Sequence, residues 1–139
     1  MSGALDSFRD GFPVSIHFNL ANLAQGATTA MTIPGQANTG YLVPTGYKFV
    51  PMLLALASNA DLTAGSSVAK VTDNGTAIAG GPEPTLSDLV QQATAVARNT
   101  QSAGIAAGHA IGVKLTGDGS YAPATADYDA LLSGVMIPT

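Results

Sequence analysis

Between residues 13 and 20 the chain alternates with a period of two: Val14, Ile16, Phe18 and Leu20 are apolar, and Ser15, His17 and Asn19 between them are polar. Successive side chains on a strand point to opposite faces, so this run predicts a half-buried strand with one wet face. Runs rich in Val, Ile, Thr, Tyr and Phe recur about every ten residues with turn signals between them, the pattern of an all-β sandwich or barrel. A weaker strand is expected over residues 28–33, closed by Pro34 and Gly35. Residues 41–43 and 47–56 flank Pro44-Thr45-Gly46 and read as either a hairpin or one bent strand. Residues 67–72 and 76–79 flank Asp73-Asn74-Gly75. Asn-Gly there predicts a tight hairpin, because both residues tolerate the positive φ of a type I′ turn. Residues 110–116, with Ile111, Val113 and Leu115 on one face, and residues 128–137, closed by Pro138, complete the set.

One segment departs from the period of two. Leu86, Leu89, Val90, Ala93, Val96 and Ala97 fall at helical spacing after a Thr85 or Ser87 cap, so a short helix competes with a strand over residues 86–98. The expected fold is therefore an all-β, antiparallel sandwich of jelly-roll type over residues 13–139, with that one segment open between helix and strand. Residues 1–12 contain Gly3 and Gly11 and lack sustained alternation, and they read as an extended N-terminal arm. Leu5, Phe8 and Phe12 are apolar anchors that a purely disordered tail does not need.

Composition sharpens this picture. Only 10% of the 139 residues are charged and 46% are apolar, against roughly 25% charged in an average soluble protein. Small neutral side chains replace the missing charge, a surface suited to packing against other subunits, and a homo-oligomer is expected. Five Lys and Arg in a chain of net charge −4 form no basic stripe, which argues against direct binding of nucleic acid or an anionic membrane. There is no cysteine, hence no disulfide, thiol nucleophile or Cys-based zinc site. Residues 1–12 carry Asp6, Arg9 and Asp10 and lack the apolar stretch of a signal peptide, so synthesis without classical export is expected. The longest apolar run, 49–57, is broken by Pro51 and is about half the roughly 20 residues of a spanning helix; it reads as a core strand.

Reactive constellations are absent from the sequence. His17 and His109 are not spaced as a metal-ligating pair, and His17 lies on the polar face of its strand. Asp127 and Asp129, two apart, together with Asp118 on a loop, are hard oxygen donors of the kind Ca²⁺ takes. Local hydrogen bonding in turns, the ordinary work of loop Asp, is the preferred reading of all three. No G-x-S-x-G elbow and no phosphate loop with Lys-Ser/Thr occurs. We expect no catalytic residue, metal, cofactor or small-molecule substrate, and hence no enzyme. Tyr41, Tyr47, Tyr121 and Tyr128 either pack at the rim of the core or stack on sugars as in a carbohydrate-binding module.

Three segments together look familiar: VPTGYKFVPML at 43–53, DLTAGSSVAKVTDNGT at 61–76, and IAAGHAIGVKLTGDGSYAPATADYDALLSGVMI at 105–137. The combination resembles the small β-sandwich decoration, or cement, proteins of tailed-bacteriophage heads and their prophage relatives, over roughly residues 41–139. The resemblance implies homotrimers on the outer surface of the virion head, made in the host cytoplasm, binding the major capsid protein without catalysis or cofactor. The arm residues Leu5, Phe8 and Phe12 would then contact the capsid or a neighbouring subunit. The alternative is a carbohydrate- or receptor-binding module of the virion surface, which needs the tyrosines to converge in a groove.

Overall fold

In the computed structural model, which describes residues 11–87, 90–96 and 104–139, the alternating run near the N-terminus is β1 (Phe12–Leu20). Its apolar positions turn inward, with Ile16 and Phe18 buried. The remaining strands are β2 (Thr28–Ala30), β3 (Tyr41–Leu42), β4 (Tyr47–Ser58), β5 (Ser67–Asp73), β6 (Thr76–Ala77), β7 (Thr85–Leu86), β8 (Gln92–Val96), β9 (Ala110–Gly117) and β10 (Tyr128–Pro138). Every pairing between them is antiparallel. A front sheet runs in the order β1-β10-β4-β8 and a back sheet in the order β2-β9-β5-β6. β3 follows β2 along one edge of β9, and β7 lies on the same side of β5 as β6. The two sheets form an antiparallel sandwich of jelly-roll type.

Phe18, Leu54, Leu56 and Leu132 from the front sheet and Val71, Ile111, Val113 and Leu115 from the back sheet fill the core, each at most 1% exposed. Tyr121 and Tyr128 are also buried, and the Tyr128 hydroxyl donates to that of Tyr121 at 2.8 Å. Each phenol thereby finds the partner that a buried hydroxyl requires. Burial, and then the neighbouring Tyr128, push the Tyr121 phenol well above its ordinary value of 10.0, so Tyr121 stays neutral.

The Asn-Gly turn forms as the sequence predicts. Asp73 pairs with Thr76, Asn74 has φ 50° and Gly75 has φ 86°, both in the region that a type I′ turn demands.

One open alternative is resolved and one expectation is corrected. No helix occurs among the described residues of 86–98: Thr85–Leu86 is β7 and Gln92–Val96 is β8, which pairs with Leu53–Ala57 of β4. The Gln-Ala-Thr-Ala-Val run also fits a period of two, with Ala93 and Ala95 half-buried and Gln92, Thr94 and Val96 exposed. The vacant edge of β4 supplies hydrogen bonds that outweigh a short helical pattern. Likewise, Pro44-Thr45-Gly46 makes neither a hairpin nor a bend within one strand. β3 pairs with β9 of the back sheet and β4 with β10 of the front sheet, so this turn carries the chain from one layer to the other.

β4 contains an irregularity that places its apolar residues. Leu53 pairs with Ser133 but Pro51 pairs with Gly134, leaving Met52 as an extra residue, a β-bulge. Before it Phe49 and Pro51 are buried; after it Leu54, Leu56 and Ser58 are. The bulge shifts the inward phase by one residue, and it is also where a strand interior tolerates a proline.

Candidate interaction surfaces

The residues singled out in the sequence do not gather. Leu5 and Phe8 lie outside the described residues. Phe12 opens β1, and its ring packs edge-on against Tyr47, with centroids 5.5 Å apart and planes at 74°. The Asp127 carboxylate accepts from the Asn22 amide at 3.2 Å, and that of Asp129 meets His17 Nε2 at 2.7 Å. Asp118 bonds to serines, and no three His, Asp or Glu among the described residues converge as metal ligands would. His109 Nδ1 meets Asp73 at 2.7 Å, far along the chain from His17. Of the four tyrosines, Tyr121 and Tyr128 are buried, Tyr47 packs on Phe12, and Tyr41 is 46% exposed, so they build no shared stacking platform.

Asp118 acts as a staple between two loops. One carboxylate oxygen accepts from the Ser66 amide and hydroxyl, both at 3.1 Å, and the other from the Ser120 amide and hydroxyl at 3.0 and 3.2 Å. The Ser120 amide leads in holding its pKa below the ordinary 3.8. Because the folded value is depressed, the staple is fully formed above the unfolded value and is lost as pH falls through the folded one. Asp118→Asn should therefore lower the melting temperature at pH 7 and flatten its decline between about pH 5 and pH 2, as read by thermal unfolding across that range.

The outer face of the front sheet is the larger surprise. Leu131 of β10 is 44% exposed, Met52 at the bulge 42% and Val96 of β8 66%. Beside Leu131, Ala55 and Ala57 of β4 floor a shallow depression of about 300 Å³, rimmed by Gln92, Thr94 and the His17–Asp129 pair, while Val96 lies opposite Leu53 further along the sheet. Exposed apolar residues that cluster on one face, rather than scatter, mark an interaction surface. The sequence carried the signal in Leu131-Leu132 and Val135-Met136-Ile137, where both phases of a strand are apolar.

A second feature is the outer edge of β1, which no described strand covers. Asn19 donates to the Thr32 carbonyl at 2.7 Å and accepts from the Thr32 amide at 2.8 Å, so the peptide groups of Asn19 face away from β10. Antiparallel pairing turns alternate residues to alternate edges, hence Pro13, Ser15 and His17 face the same way. Pro13 lacks an N–H and stands where no sheet bond needs one. β1 ends the front sheet, so no strand among the described residues lies beside Ser15 and His17. There the two sheets part into a groove of about 590 Å³, lined by Val14, Ile16, Ile33, Tyr41 and Leu42 among others.

On the outer face of the back sheet Lys70 and Lys114 are directly opposite one another, and neither forms an ion pair with a described carboxylate. Like charges in that register repel. Lys70→Glu should stabilise the sandwich by about 0.5 kcal/mol through a cross-strand pair with Lys114, read as a higher urea midpoint.

No family model matches the chain, and no curated protein matches it. Solved structures do. A chain of the cyanophage Pam1 capsid asymmetric unit is 13% identical with a TM-score of 0.55, over 93% of this chain and 87% of that one. A chain of the acidic stable capsid structure of Helicobacter pylori bacteriophage KHP30 is 10% identical with a TM-score of 0.50, over 94% of this chain and 91% of that one. The low affinity xylan binding module CBM86 from Roseburia intestinalis is 13% identical over 91% of this chain and 85% of its own, but its TM-score of 0.42 carries no argument. At these identities the two phage structures show a shared fold.

Proposed function

We propose that this chain is a structural subunit of a tailed-phage virion, a decoration protein that binds the major capsid protein on the outer surface of the head, as a homotrimer and without catalysis. The observation that carries the reading is the exposed apolar group on the outer face of the front sheet: Leu131 beside the alanine floor of β4, with Met52 and Val96 further along β4 and β8. Exposed apolar side chains grouped on one sheet face are the usual mark of an interaction site. The likeness in fold to chains of two phage capsid structures supports the choice of partner, as does the resemblance in residues 41–139. In this reading Leu131 and its neighbours lie on the shell, while Leu5 and Phe8 of the N-terminal segment reach a neighbouring subunit.

Cryo-electron microscopy of particles produced with this chain tests the reading directly. Density for the sandwich on the outside of the shell, front sheet inward, is the expected result. Density at the tail tip, or a reproducible hit on a glycan array with no density on the head, would replace it with a receptor-binding role.

A further inference from the structure

We propose that the outer edge of β1 is a strand-acceptor site, and that its occupant is residues 3–7 of a second copy of this chain. This deepens the assembly reading above and rests on it for the existence of neighbouring copies. The site has defined hydrogen-bonding valence: the amides and carbonyls of Ser15 and His17 point outward, Pro13 closes one end and the Asn19–Thr32 bridge closes the other. An extended segment laid there meets all four groups, the usual chemistry of strand addition. Its inward side chains enter the groove over Val14, Ile16 and Ile33 beneath Tyr41 and Leu42, which stand 46% and 64% exposed without it.

The groove is lined by apolar and neutral residues apart from His17, so it selects an uncharged inward residue. Residues 3–7 read Gly-Ala-Leu-Asp-Ser, which places Leu5 inward between small neighbours Gly3 and Ser7 and turns Asp6 to solvent. Register disfavours a two-residue hairpin back onto the same molecule. In a two-residue hairpin through Asp10-Gly11 the flanking Phe12 would hydrogen-bond to the returning strand, but the peptide groups of Phe12 face β10. Ten residues precede Gly11 and span roughly 33 Å when extended, enough to reach an adjacent subunit. Arm into groove is a heterologous contact, which closes into a ring when the rotation permits.

The test is hydrogen exchange of the Ser15 and His17 amides in the full chain, followed by NMR from micromolar to millimolar protein with light scattering in parallel. We expect both amides to be protected at least 100-fold more in the oligomer than in a Leu5→Asp chain, and the protection to vanish on dilution together with the oligomer. His17→Pro removes an outward N–H that the front sheet does not use, so it should leave the melting temperature nearly unchanged and yield a monomer; Ser15→Pro does the same if that variant folds poorly. Equal exchange in wild type and Leu5→Asp overturns the proposal. Protection that persists in a dilute monomer also overturns it, because the segment then docks on its own chain. Heads decorated normally by the Leu5→Asp chain would leave the virion reading standing while this one falls, and strand exchange in a chain that never binds heads would do the reverse.

Discussion

Gly134→Val should leave no folded protein, and Gly134→Ala should lower stability by about 3 kcal/mol, at the upper end of the usual cost of overpacking. Gly134 lies at the bulge in the middle of β10, paired with Val14 on one side and Pro51 on the other. The fully buried ring of Phe49 lies against it: a Cβ built there falls on the Val50 carbonyl oxygen and comes within 2.5 Å of Phe49 Cζ and 2.7 Å of Cε1. The carbonyl belongs to the ladder between β4 and β10, and the ring has the core behind it. Neither moves without breaking sheet bonds or repacking the interior. A domain of this size has about 5–15 kcal/mol of total stability, so the loss from one methyl is already a large fraction and that from an isopropyl group exceeds what remains. Gly119, where an added Cβ meets nothing within 4 Å, is the matched control, and Gly119→Ala should shift the urea midpoint negligibly. A wild-type midpoint for Gly134→Ala would mean that Phe49 swings aside without cost.

Phe49 and Gly134 also show where sequence reading ends. The period of two was legible in β1 and β9, because Ile16 and Phe18, and Ile111, Val113 and Leu115, keep one phase turned to the core. Asn74-Gly75 was legible because positive φ at both positions is a local demand. The bulge at Met52 was not: an extra residue changes phase only relative to a partner strand, and residues 49–57 are apolar in both phases. The competition over residues 86–98 was settled by the open edge of β4, a partner 35 to 43 residues away in sequence that propensity does not contain. The same holds for Pro44-Thr45-Gly46, whose turn was visible while the layer each flank joins was not. For the candidate surfaces, the apolar outer face needed the knowledge that Leu131 and Ala55 are neighbours on one sheet. The acceptor edge needed hydrogen-bond parity, which Asn19 and Thr32 supply only in the folded chain.

Leu131→Glu should abolish decoration of heads while leaving the isolated sandwich folded, with a melting temperature within a few degrees of wild type. Leu131 points outward from the middle of the front sheet and is 44% exposed, so its replacement removes little from the core. With that face on the shell as proposed, the same change would bury a carboxylate without a partner, and leaving a charge unpaired in an interface costs about 2–5 kcal/mol, or 30-fold to several thousand-fold in affinity. If apolar area rather than ion pairs holds it, as proposed, the wild-type contact should withstand 1 M NaCl, where the screening length is about 3 Å; the nearby His17–Asp129 hydrogen bond, with side chains 50% and 67% exposed, adds little. A subunit that binds only the assembled shell stabilises it by mass action, about 2.7 kcal/mol per site at a hundredfold excess over Kd. Heads lacking the protein, or offered only the Leu131→Glu chain, should therefore release their genome at a lower temperature than decorated heads. If Leu131→Glu bound heads as tightly as wild type, the front sheet would be the wrong face; if stripped and decorated heads released DNA at the same temperature, the protein would not be a cement.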